Sequence, residues 1–114
     1  LVVLAVASAE RMAQLEAVQQ GLRKLGDPRT LAAGEDEKLI ASLPVAVWLM
    51  HAVHGNEISS TDAALLEAYH LLAAQGDAQV STILRDELVL IDAPDNLDGR
   101  ARLVASHTEA MRHE

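Results

Sequence analysis

No cysteine occurs in these 114 residues. Disulfides and thiolate metal sites are thereby excluded, and a transition metal would have to be held by imidazole and carboxylate. Phenylalanine is absent too, and Trp48 and Tyr69 are the only aromatic residues, which provides no stacking platform for bases or sugars. Positive charge is scarce: nine Lys and Arg against 17 Asp and Glu give a formal net charge of −8. That sign argues against nucleic acid as a partner, because a phosphate backbone needs a basic surface. No apolar run reaches the length of a membrane span, so no membrane partner is expected. The apolar opening "LVVLAVAS" carries no basic lead and reads as a core strand, not a signal peptide.

Half of the chain is apolar, enough for one small domain over residues 1–114 with a limited core. The chain opens directly on a strand and stops at "AMRHE" without a cap, so the expectation is a fragment of a larger domain. Short Val- and Leu-rich runs predict buried strands over 1–7, 45–50 ("VAVWLM") and 88–93 ("LVLIDA"), with Trp48 in the core. Ser8 can cap a helix over 9–25, with Met12, Leu15, Val18, Leu22 and Leu25 at helical spacing. The acidic "GEDE" at 34–37 reads as the start of a short helix ended by Pro44. Ser59, Ser60 or Thr61 can cap a further helix to about residue 75, with Leu65, Ala68, Tyr69 and Leu72 on one face. A short helix with Val80, Ile83 and Leu84 follows, and "PDNLDGRARLV" reads as a turn-rich loop.

Alternating strands and helices predict an α/β fold: a mixed, largely parallel sheet flanked by helices. In such sheets ligands bind beyond the carboxyl ends of the strands. "HAVHGNE" follows one strand and "PDNLDG" another, so two polar segments 40 residues apart would converge at one edge. Within the first, His54 and Glu57 are good zinc donors three residues apart, brought to one side if the backbone turns helical at Gly55. Gly55 and Asn56 suit such a bend. His51 is a poor co-ligand, because residues three apart in extended chain face opposite ways. From spacing alone an alternative stands: His54 caps backbone groups and Glu57 favours the helix N-terminus through its dipole.

The combination of "HGNE" after an apolar strand, a helix, and then "VLIDAPDNLDG" resembles the zinc carboxypeptidases of the carboxypeptidase A type. The similarity covers residues 1 to about 104. The resemblance implies a His-x-x-Glu zinc pair at His54 and Glu57, and an Asn-Pro-Asp-Gly turn matching Asn96, Asp98 and Gly99. It implies a zinc-activated water that hydrolyses C-terminal peptide bonds, a distant Glu as general base, and arginines that grip the substrate carboxylate. The partner so implied is a peptide or protein C-terminus.

Three departures matter. The family's second His ligand and catalytic Glu lie far downstream of the turn, and His107 and His113 stand too close to it to serve. No catalytic residue is therefore expected within this chain. Leu97 replaces the usual Pro. Arg100, Arg102 and Arg112 are the candidates for a substrate clamp, and a solvated charge is the favoured reading of each. Asp92 and Asp95 could support His54 from behind or cap the loop. The alternatives are a deacylase of the aspartoacylase or succinylglutamate desuccinylase type, and a carboxypeptidase-like module that binds without hydrolysing. A secreted or periplasmic parent is slightly favoured, without a residue that fixes localisation. An exposed sheet edge predicts self-association.

Overall fold

The computed structural model describes residues 2–93 and 95–112. Leu1 of the opening run, Pro94 of the second polar segment and His113 lie outside the described residues. Ten elements follow in order: β1 (Val3–Val6), α1 (Ala9–Ala13), α2 (Leu15–Gly26), a 3-10 turn (Pro28–Thr30), α3 (Glu35–Ser42), β2 (Val45–Met50), α4 (Ile58–Ala73), α5 (Ala78–Asp86), β3 (Glu87–Asp92) and α6 (Leu97–Met111).

The three strands form one mixed sheet in the order β1-β3-β2. β2 and β3 run parallel, from Val45 opposite Glu87 to Met50 opposite Asp92. β1 runs antiparallel to β3, with Val3 opposite Asp92 and Val6 opposite Val89. The sheet is therefore not dominated by parallel pairing. Apolar runs fix where strands occur but not their direction, and three helices and a 3-10 turn separate β1 from β2. The Ser8 N–H donates to the Leu84 carbonyl at 2.7 Å, so β1 ends beside the start of β3, away from the edge where β2 and β3 end.

One face of the sheet is packed. Val89 and Ile91 of β3 and Val6 of β1 bury against Ala64, Ala68 and Leu71 of α4 and Val80 of α5. The inward stripe of α4 is thus Ala64, Ala68 and Leu71. Leu65, Tyr69 and Leu72 point outward, a correction to the expected face; the small alanines let the helix lie close to the sheet. By strand alternation the opposite face carries Trp48 and Met50 of β2 with Leu88 and Asp92 of β3. Leu88 and Asp92 are buried, whereas Trp48 is 59% exposed and so not a core residue.

Two helices differ from expectation. The first breaks at Gln14 into α1 and α2, and Ser8 caps α1 by accepting the Arg11 N–H. The expected loop after β3 is instead the 15-residue helix α6, which buries none of its residues. Projecting helices explain the shape. The radius of gyration is 18.7 Å with extents of 67 × 40 × 18 Å, against about 13 Å for a compact chain of this length. No helix among the described residues is long and apolar enough to cross a membrane.

Candidate metal centre

Because β2 and β3 are parallel and in register, Met50 and Asp92 end side by side, and the segments beyond them leave the same edge. The ladder then continues through the loops. The His51 N–H donates to the Asp92 carbonyl at 2.9 Å, the Asp95 N–H to the His51 carbonyl at 3.1 Å, and the Asn96 N–H to the Ala52 carbonyl at 3.2 Å. Topology and backbone bonding together bring the two polar segments into contact.

Ala52 turns the chain out of the strand. Its φ of 55° is the only positive value at a non-glycine among the described residues, a left-handed conformation that costs an L-residue roughly 1–2 kcal/mol. Its amide is held by the Ser60 hydroxyl, which accepts the Ala52 N–H at 2.8 Å. Ser60 thus ties the loop to α4 and does not cap that helix. The N-cap position belongs to Glu57, whose side chain caps nothing.

That side chain meets His54 instead. The Glu57 N–H donates to the His54 carbonyl at 3.0 Å, a one-turn bend that brings the two side chains to the same side. His54 Nδ1 stands 2.9 Å from Glu57 Oε1. A carboxylate offers only acceptors, so the imidazole proton of this bond sits on Nδ1. Both side chains face solvent, at 72% and 53% exposure.

The donor set suits zinc. Zinc–nitrogen and zinc–oxygen bonds of about 2.0–2.2 Å at a tetrahedral angle place two donor atoms roughly 3.4 Å apart. The pair needs to open by about half an ångström, within reach of exposed side chains, with the proton leaving Nδ1. No group of three or more potential ligand side chains is assembled among the described residues. His51 is engaged elsewhere: its Nε2 lies 3.1 Å from Glu67 Oε2 on α4.

The second segment supplies the wall behind the pair. Asn96 caps α6: its Oδ1 accepts the Gly99 N–H at 2.8 Å, and its Nδ2 donates to the Val53 carbonyl at 3.2 Å. One side chain therefore shapes its own turn and grips the His54 loop. Leu97 occupies the first position of α6, where proline would also be tolerated, so the departure at 97 leaves the turn intact. Asp95 and Asp98 are exposed. Asp92 is fully buried, and neither carboxylate oxygen has a hydrogen-bond partner among the described residues.

Arg100 and Arg102 separate. Arg100 is half-buried and lines a cleft of about 520 Å³ between the first turns of α4 and the body of α6, with Ile58, Asp62, Val104 and His107. Arg102 is exposed and does not line the cleft. Sequence reasoning offered Ser60 only as a helix cap and missed Glu67; a serine and a glutamate on a helix carry no spacing signal that marks them as anchors of a loop.

Comparison with protein-family models, with curated proteins and with solved structures found no match to this chain.

Proposed function

We propose that this chain forms part of a zinc metallocarboxypeptidase, the portion that supplies His54 and Glu57 as two of the metal's ligands. One observation carries the proposal. His54 and Glu57 stand 2.9 Å apart at the carboxyl edge of a parallel strand pair, backed by an Asn96–Gly99 turn that is bonded to the His54 loop. Zinc bound there would polarise a scissile carbonyl and lower the pKa of its water.

The remaining work falls to the chain's own residues. His54 and Glu57 present a neutral imidazole and a carboxylate to the metal. Asn96, Asp98 and Gly99 belong to the turn that holds the His54 loop at its distance from β3. Arg100, at the wall of the cleft beside Ile58, is positioned to attract the carboxylate of a peptide C-terminus, with Arg102 a weaker second candidate. A second reading is a carboxypeptidase-like module that binds peptides without hydrolysing them. It is favoured by the lack of a third assembled ligand among the described residues.

Titrating the zinc-loaded chain with an N-blocked dipeptide and with its C-terminal amide tests the proposal. The free acid should bind more tightly than the amide, and Arg100→Gln should reduce that difference. Equal binding of acid and amide would count against a carboxypeptidase-type site.

A further inference from the structure

We propose that His51 is a positioning residue: its side-chain bond to Glu67 pins the end of β2 to α4 and so sets where His54 and Glu57 emerge. The inference rests on His54 and Glu57 being the metal pair, and it assigns His51 a role other than ligand.

His51 is bonded in three directions. Its N–H donates to the Asp92 carbonyl, its carbonyl accepts the Asp95 N–H, and its imidazole meets the Glu67 carboxylate at 3.1 Å. The first two bonds tie it to the β3–α6 connection and the third to α4. Since the carboxylate can only accept, the ring proton must sit on Nε2. At 19% side-chain exposure against 41% for Glu67, the imidazole is the sheltered partner. A single part-buried pair of this kind stabilises little by itself; what matters here is its place in the chain.

The next residue is Ala52, held at φ 55°. A strained conformation persists only where the surroundings over-determine it. Here the strain is bracketed by the His51 bonds on one side and by the Ser60 hydroxyl on the Ala52 N–H on the other. Both anchoring side chains, Glu67 and Ser60, lie on α4, so this one helix sets the exit direction of the loop. Without the His51 imidazole, the Ser60 hydroxyl is the one side-chain hydrogen bond among the described residues that still links the bend to α4. Ala52 can then relax toward negative φ and carry His54 away from the Asn96 turn.

The test uses the full chain as wild type, His51→Ala, His51→Gln and Glu67→Gln. Cobalt(II) is titrated and followed by visible absorption, and amide hydrogen exchange is read at Asp95, Asn96 and Ile91. Supporting groups behind a metal ligand are typically worth 10–100-fold in affinity. His51→Ala should weaken cobalt binding by about that factor. His51→Gln, whose amide can still donate to Glu67, should recover most of it. Exchange at Asp95 and Asn96 should quicken in His51→Ala while Ile91 stays protected. Unchanged cobalt affinity in His51→Ala, or no recovery in His51→Gln, overturns the inference. If the wild-type chain binds no cobalt, the metal pair itself fails, and exchange decides for His51 alone. Selective loss of protection at Asp95 and Asn96 upholds the pin; unchanged protection removes it.

Discussion

Gly55 lies directly against the backbone of Gly99. A Cβ built at position 55 would overlap the peptide joining Gly99 to Arg100 and come within 2.6 Å of the Gly99 Cα. The two loops at the sheet's carboxyl edge approach here backbone to backbone, and a methyl group at position 55 has nowhere to go. Gly55→Ala should therefore cost about 1–3 kcal/mol, the range for overpacking, read by urea denaturation. Gly26→Ala serves as the control. It ends α2 with no atom within 4 Å of a new Cβ, and it should be neutral or slightly stabilising. Equal effects of the two substitutions would contradict the contact.

Asp92 carries a different prediction. Its carboxyl group is buried at 0% exposure with no hydrogen-bond partner on either oxygen among the described residues, and a buried polar group without a partner is costly. Asp92→Asn keeps the shape and removes the ionisable group. It should raise stability at neutral pH by on the order of 1 kcal/mol. A clear loss of stability would show that the carboxylate has a partner.

Asp77 gives the pH dependence. It caps α5, with Oδ1 accepting the N–H groups of Gln79 at 2.8 Å and Val80 at 3.0 Å. The Val80 and then the Gln79 amide hold its carboxyl below the ordinary value of 3.8. A depressed folded pKa means that the ionised cap stabilises fully above the ordinary value. That contribution is lost as pH falls from there through the folded pKa. Asp77→Ala should lower the urea midpoint at pH 6 and converge on wild type in strong acid. A gap that persists unchanged at pH 2 would contradict the assignment.

β2 is an edge strand, and Val45, Trp48 and Met50 along it are exposed. Its sequence "VAVWLM" holds no charge and no proline, the usual guards against edge-to-edge pairing. Sedimentation should show concentration-dependent association of the chain, reduced in Trp48→Lys. A strictly monomeric wild type at high concentration would contradict the role of this edge.

Much of the site's placement was legible. Like the opening run, the apolar runs at 45–50 and 88–91 are strands because they are short, mostly aliphatic and free of charge and proline. Their parallel pairing then forces "HAVHGNE" and "DNLDG" to one edge. What escaped was set by tertiary context. The direction of β1 depends on its contact with the end of α5, which no local pattern encodes. The face of α4 shifted because small alanines pack closer than the larger Leu65 and Tyr69. "DNLDGRARLV" has turn composition, yet Asn96 uses that same chemistry to cap α6, and a Cβ at Gly99 would come within 2.8 Å of the Asn96 Oδ1 and displace that cap. Capping residues and turn residues are the same few types, so composition alone cannot separate a turn from the first turn of a helix.

The most direct measurement is a calorimetric zinc titration of the chain beside a His54→Ala, Glu57→Ala double variant. Weak binding by the wild type, as two protein ligands allow, with loss of binding in the double variant, is the expected result. Zinc binding that survives the double substitution, or a wild type that binds no zinc, would contradict the assignment of His54 and Glu57 as the metal pair.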